Sequence, residues 1–219
     1  MKLNNKRTIL VGLAFLSICA FWQMYDSVVP LILTKTFHMN ETFSAAIMAA
    51  DNILALFLLP FFGSLSDRSH SKIGKRMPFI LFGTGCAVIL MNILPLLDNS
   101  YAAQPSGLKT ASFVIVLGLL LVTMGTYRSP AVALMPDVTP KPLRSRANAI
   151  INLMGAVGGI LYLGVAAVLY PNSKTAGLDH VNYQPLFIVV SAIMFIAIAV
   201  LFLTVKEPKL TAENQALEK

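Results

Sequence analysis

Two apolar stretches, residues 45–62 and 79–97, flank a short charged loop that reads Gly63-Ser64-Leu65-Ser66-Asp67-Arg68 and, after five residues, Gly74-Lys75-Arg76-Met77-Pro78-Phe79. Only Asp51-Asn52 breaks the first stretch. About 18 apolar residues suffice to cross the hydrocarbon core of a bilayer as a helix. The loop is therefore a tight turn at a membrane surface, and its basic residues mark the cytoplasmic side. Asp67 falls near the C-terminal end of its helix, where the helix dipole disfavours a negative charge. It calls for a basic partner, and Arg68, Arg76 or a residue of another helix are the candidates.

The rest of the chain agrees with that reading. Of 219 residues, 56% are hydrophobic and 12% charged, and the mean hydropathy is +0.72. A soluble domain carries about 25% charged residues. So much apolar surface cannot be hidden from water, and the chain is expected to be a polytopic membrane protein. Six spans are expected, at residues 8–36, 44–66, 77–97, 110–136, 147–170 and 185–205. Pro30, Pro60 and Pro130 lie inside spans and are expected to kink them. With this division, thirteen Lys and Arg residues fall on one side, three (Lys35, Lys109 and Lys174) on the other, and Arg128 within a span. The asymmetry places both termini in the cytoplasm, with the inner (plasma) membrane as the expected location. It also argues against nucleic acid as a partner despite the net charge of +7, because the basic residues are spread over short loops. The N-terminal apolar run continues past any cleavage site, so it is read as an uncleaved first span. Cys19 and Cys86 lie in apolar segments and read as small core residues. His38, His70 and His180 are scattered, with no metal spacing and no catalytic triad, which argues against an enzyme. Asn40-Glu41-Thr42 matches a glycosylation sequon, but so short an external loop makes a chance match the better explanation.

Three ionisable residues fall well inside spans: Asp26, Asp51 and Arg128. Each costs about 2.5–3.5 kcal/mol at a helix centre, and together roughly 8–10 kcal/mol, comparable to the stability of a whole domain. Their retention points to mutual pairing, to a watery cavity, or to both. Trp22, Gln23, Asp26 and Pro30 share one face of the first span, and Asn148, Asn152, Gly155 and Gly159 one face of the fifth. Amide groups and an indole suit a hydroxyl-rich ligand, the amides bonding its hydroxyls and the ring packing on its C–H face. The expected substrate site is therefore Trp22, Gln23, Asp26, Tyr127, Arg128, Asn148 and Asn152, although aromatic packing is the simpler reading of Tyr127. Gly155 and Gly159 also form a small-xxx-small pair that favours close helix packing. Two carboxylates against one guanidinium leave one negative charge over, which suits uptake of a proton or sodium ion. Asp51, beside Asn52, is the candidate for that ion, with Asp26 as its companion. The alternative is that Asp51 stays protonated.

The pattern Gly63-x-Leu65-x-Asp67-Arg68 resembles the first cytoplasmic-loop signature of the major facilitator superfamily. The longer spacing before Gly74-Lys75-Arg76-x-Pro78-Phe79 resembles the glycoside–pentoside–hexuronide:cation symporters and the related sucrose carriers. Arg128-Ser129-Pro130 through Met135-Pro136-Asp137, followed by Arg144-x-Arg146-Ala147-Asn148, is similar to their junction between spans four and five. The resemblance implies an all-α membrane protein in which residues 1–205 form six transmembrane helices, one half of a major facilitator fold. Residues 206–219 resemble the start of the linker between halves. It implies secondary active transport of a sugar or related solute by alternating access, with no cofactor beyond the coupling ion. It implies a conformational gate around Gly63, Asp67, Arg68, Gly74, Lys75, Arg76, Asp137 and Arg146. The sequence departs from melibiose-type members, with Ala55 and Leu59 at the positions nearest their paired acids and Arg128 where they carry an acid. Members have twelve spans, so a second six-helix half is expected as a missing segment, a separate chain or a second copy. A truncated or non-transporting module that serves as a scaffold is the competing reading.

Overall fold

The computed structural model describes residues 3–178 and 180–218, and among these the chain is helical with no strand. The helices are α1 (Asn5–Leu31, prolonged by the π-helical Ile32–Thr36), α2 (Glu41–Asp67), α3 (Met77–Ala103), α4 (Gly107–Val138), α5 (Arg144–Leu169), the single turn α6 (Asn172–Thr175), α7 (Gln184–Thr204) and α8 (Glu207–Glu218). Six of them are long and apolar enough to cross a membrane: α1, α2, α3, α4, α5 and α7. The chain is a multi-pass membrane protein. The helices exceed the expected spans at the end away from the basic loops, where α3 runs on to Ala103 and α4 begins at Gly107. These extra turns are too polar to register as apolar runs, yet helix is the conformation that keeps their backbone bonded.

The prolines sit within continuous helices rather than ending them: Pro30 in α1, Pro60 in α2, Pro95 in α3, and Pro130 and Pro136 in α4. Just beyond Pro30 the winding loosens to π, a common response to a disturbed hydrogen-bond ladder. The Thr34 hydroxyl donates to the Pro30 carbonyl at 2.8 Å. Asn40 serves as the N-cap of α2, its side-chain oxygen accepting from Thr42 N–H at 3.0 Å, which gives the Asn-x-Thr sequence a structural reason.

Helix α1 is the hub. It packs on α5 and α7, α3 packs on α4 and α7, and α2 packs on α4. The α1–α5 seam depends on absent side chains. A Cβ at Gly158 would lie 2.1 Å from the Leu16 carbonyl oxygen, and one at Gly155 2.9 Å from the Cys19 sulfur. The expected pair was Gly155 and Gly159; the structure replaces it with Gly155 and Gly158. A Cβ at Gly159 would meet only the Gln23 amide oxygen, at 3.8 Å. Spacings of three and four residues both return to one helix face, and the sequence does not distinguish them. Phe21, Met24, Met91, Phe113, Tyr127 and Phe187 fill the centre. At the end opposite the basic loops, His180 ties the α5–α7 connection down, with Nδ1 3.2 Å from the Thr36 hydroxyl and Nε2 2.9 Å from Asn99 Oδ1.

No residue in the apolar stretch of α2 is buried, and Ile53, Leu56, Phe57 and Phe61 stand fully outward. Helix α5 likewise exposes Leu153, Ile160 and Leu163. Such surfaces suit lipid or another membrane helix. Substituting Gly158 with Ala should destabilise the bundle by about 1–3 kcal/mol through overpacking. Gly164→Ala, where a Cβ meets nothing within 4 Å, should be neutral or mildly stabilising. Thermal unfolding of the purified chain in detergent checks both.

Candidate functional site

The charged loop closes around one guanidinium. Arg76 at the start of α3 is 4% exposed, yet every arm of its side chain is engaged. Nε donates to Asp137 Oδ2 at 2.9 Å, Nη1 donates to the Gly63 carbonyl at 3.2 Å and to the Ser66 hydroxyl, and Nη2 pairs with Asp67. Lys75 adds its ammonium 3.2 Å from Asp137 and 3.9 Å from Asp67. The partner that Asp67 requires is thus Arg76, supported by Lys75. A buried arginine satisfied by two carboxylates, a hydroxyl and a carbonyl locks the ends of α2, α3 and α4 together.

A residue without a signal in the sequence completes the cluster. Glu207, at the start of α8, is 1% exposed. Its carboxylate accepts from the N–H groups of Lys75, Arg76 and Met77, each at 2.9 Å in its shortest contact. These are orphan donors of the α3 N-terminus, where an anion is favoured. Burial raises the Glu207 carboxyl above its ordinary value, the three N–H donors oppose that rise, and the Asp137 charge adds to it. Gly74 makes room with φ +119°, and a Cβ there would lie 2.2 Å from Glu207 Oε2. Only glycine fits both the left-handed turn and the carboxylate above it. Asn214 of α8 donates to the Asp137 carbonyl at 3.1 Å, and Arg7 lies 3.8 Å from Glu213. Residues 207–218 are therefore a docked helix.

Two of the expected gate residues stand apart. Arg68 and Arg146 are exposed and form no ion pair among the described residues. The neighbouring Arg144 turns inward instead, donating to the carbonyls of Thr139 at 3.1 Å and Pro136 at 2.9 Å. It caps the end of α4, an arginine's favoured place beside a helix C-terminus.

Midway along the bundle the polar residues divide into two groups. Trp22, Asp51 and Arg128 line one slit between α1, α2 and α4, and its free volume of about 10 Å³ takes at most one water and no sugar. The Arg128 guanidinium lies 5.5 Å from the centroid of the Trp22 ring and forms no ion pair among the described residues. The Trp22 indole N–H and the Tyr25 hydroxyl are buried and have no hydrogen-bond partner among the described residues. Asp51 accepts from the Asn52 amide at 2.8 Å, while Asn52 itself is exposed. Gln23, Asp26, Asn148 and Asn152 form a second group, all exposed on the open side of α1 and α5. Asn152 donates to the Asn148 carbonyl at 2.9 Å. Asp26, Asp51 and Arg128 form no ion pair with one another among the described residues, so mutual pairing is not what holds them. Tyr127 is corrected outright: it is fully buried, and its hydroxyl donates to the Ala14 carbonyl at 2.9 Å and contacts Ser17. Gly83 admits its backbone, since a Cβ at Gly83 would lie 2.8 Å from Tyr127 Cβ. It is a core residue that joins α1, α3 and α4. No group of three or more His, Cys, Asp or Glu side chains is placed to hold a metal ion among the described residues.

Arg76→Ala should cost about 3 kcal/mol, because it removes the charged hydrogen-bond partner of the largely enclosed Asp137, whereas Asp67 is open to solvent and adds little. Glu207→Ala should cost about 2 kcal/mol and should speed hydrogen exchange at the amides of Lys75, Arg76 and Met77. Arg146→Ala should change stability by less than about 0.5 kcal/mol. Unfolding and amide-exchange measurements on the three variants separate the cases.

Comparison with known proteins agrees with this geometry. Residues 11–219 match the family model described as the Major Facilitator Superfamily. A sucrose transport protein of Arabidopsis thaliana is 34% identical over 145 residues, 61% of this chain and 24% of that protein. The alpha-ketoglutarate permease of Escherichia coli (strain K12) is 26% identical over 179 residues, 80% and 38% of the two chains. Human solute carrier family 45 member 3 is 26% identical over 175 residues, 78% and 32%. The chain thus spans about a quarter to two fifths of the length of these relatives. With a family match across nearly all of its residues and six helices able to span a bilayer, this chain belongs to the Major Facilitator Superfamily, a family of transporters rather than enzymes.

Proposed function

We propose that this chain forms the six-helix half of a secondary transporter that carries a sugar or related small polar solute in symport with a proton or sodium ion. The observation that carries this is the Arg128 guanidinium, which lies over Trp22 and has no ion pair among the described residues, beside a buried indole N–H that has no partner among them either, with Asp51 lining the same slit. In this conformation the slit is too narrow for such a solute. Once α2 and α4 part, as alternating access requires, a hydroxyl-rich solute would offer acceptors to the indole and guanidinium and an apolar face to the ring. Gln23, Asp26, Asn148 and Asn152 extend the polar surface beside it. The similarity to sucrose transport proteins supports the sugar class.

The half-bundle leaves this surface open, and a second six-helix half supplies the opposite wall. The unburied faces of α2 and α5 are its seat. That half is a separate chain, a further segment or a second copy of this one. Alternating access then opens the solute site to each side of the membrane in turn. The cluster around Arg76 closes the basic end, which faces the cytoplasm by the positive-inside rule, and the membrane is the plasma membrane. Asp51 carries the coupling ion, with Asn52 and Asp26 nearby. A second reading follows from the same arginine. A guanidinium with no carboxylate partner is a ready seat for a carboxylate-bearing solute, and the similarity to a permease named for alpha-ketoglutarate points the same way.

Uptake of labelled sucrose and labelled 2-oxoglutarate into vesicles, with and without proton and sodium gradients, tests both readings. Gradient-driven sucrose uptake supports the first, and uptake of the dicarboxylate alone supports the second. Uptake of neither, with the chain recovered only in complex with another membrane protein, replaces both with a scaffold role. Asp51→Asn should abolish the dependence on the ion gradient while leaving solute binding partly intact. Arg128→Gln should weaken solute binding by about tenfold to 100-fold, the worth of a hydrogen bond to a charged group.

A further inference from the structure

A groove at the basic end is lined by three cations and five apolar residues, of which Ile73, Phe202 and Leu203 stand outward. It encloses about 430 Å³ between the loop after α2 and the junction of α7 with α8, and Lys72, Lys206, Lys209, Phe202 and Leu203 line it. Among the described residues no carboxylate lines it. The nearest acid in sequence, Glu207, is turned away and committed to the α3 N-terminus. All three lysines are exposed, and none forms an ion pair among the described residues. Lys206 and Lys209 also line a neighbouring hollow of about 330 Å³ with Lys6, Arg7 and Glu213, where four cations face one carboxylate and the balance stays positive.

Phe202 belongs to a second space as well. A crevice of about 230 Å³, with walls from α3 and α7 alone, passes Phe202, Ala199, Phe195 and Gly85. From Phe202 to Phe195 is seven residues of helix, about 10 Å along the membrane normal. The crevice is apolar, and a Cβ at Gly85 would meet nothing within 4 Å. The cationic groove at the membrane surface and the apolar crevice below it thus meet at one shared side chain, Phe202. Helix α2 packs on α4 and takes no part in the walls of this crevice.

We infer that the α3–α7 crevice and its lysine-lined mouth form a binding site for one anionic phospholipid. The phosphate sits among Lys72, Lys206 and Lys209, and one acyl chain lies along Gly85, Phe195 and Ala199. Charge selects the occupant: three unpaired cations with no acid among the lining favour an anionic over a zwitterionic headgroup. The apolar crevice selects a lipid over a free phosphate. The site adjoins the Glu207 cap, since Lys206 and Pro208 flank that residue in the chain. An occupied mouth therefore holds α8 against the Arg76 cluster.

Native mass spectrometry on the purified chain, with any partner it carries, tests this using dioleoyl phosphatidylglycerol and dioleoyl phosphatidylcholine as probes. Each surface lysine is worth about fivefold toward an anionic lipid. Lys206→Gln should lower phosphatidylglycerol retention about fivefold, and the triple Lys72→Gln, Lys206→Gln, Lys209→Gln variant about 100-fold. The triple Lys→Arg variant should keep it. Gly85→Phe fills the crevice without touching a charge and should weaken phosphatidylglycerol retention while circular dichroism shows an intact helical fold. Equal retention of the two lipids by the unmodified chain overturns the proposal. So does a preference that survives the triple Gln substitution. Competition by glycerol 3-phosphate as strong as by the lipid, with no effect of Gly85→Phe, also overturns it in favour of a soluble-anion site.

Discussion

The enclosed guanidinium of Arg76 organises the end of the bundle on which the rest depends. Helices in a bilayer gain little from the hydrophobic effect against one another, so close packing and a few polar clasps decide their arrangement. Arg76 joins the last turn of α2, the first of α3 and the last of α4 through Asp67, Ser66, Gly63 and Asp137. Glu207 brings in α8 from the far end of the chain. Because each partner also satisfies another, the cluster engages as a unit: a helix end that shifts leaves a buried charge exposed to an apolar surrounding, which is expensive. That makes it suited to a gate with two settings rather than a continuum.

The sequence displays this cluster only in part, and the division has a physical reason. Asp67, Lys75 and Arg76 lie within ten residues, and a charge at the wrong end of a helix announces its need for a partner. Glu207 lies 131 residues from Arg76, in a tail whose polarity reads as solvated linker. Every helix start leaves N–H groups in want of an acceptor, so the α3 N-terminus does not single out this distant acid. The six spans are legible because bilayer thickness sets a minimum apolar length. The phase of each helix is less so. Helix α4 is apolar almost all round, and nothing in its composition says that Tyr127 faces inward while Arg128, one residue on, reaches the slit. In α5, Gly158 and Gly159 are adjacent and chemically identical, and only the approach of the Leu16 carbonyl separates their roles.

The midplane residues show how an open half arranges its polarity. Trp22, Asp51 and Arg128 converge because α1, α2 and α4 meet there, whereas Gln23, Asp26, Asn148 and Asn152 stay on the uncovered side of α1 and α5. Unsatisfied groups in hydrocarbon are costly. The concentration of exposed amides and carboxylates on one side therefore marks the direction in which the molecule expects water or protein. The large apolar side chains of α2 stand on the neighbouring flank, where a lipid chain or another helix satisfies them equally well.

The π-helical stretch Ile32–Thr36 has a mechanical implication. It holds one residue more per hydrogen-bonded ring than the α-helix before it, so it is wound out of phase with the face that carries Trp22 and Asp26. Rewinding those five residues to α geometry would swing Thr36 by about 100° and carry its hydroxyl off the His180 ring. A rotation of the part of α1 that carries Trp22 and Asp26 would thereby be delivered to the α5–α7 connection as the release of a latch.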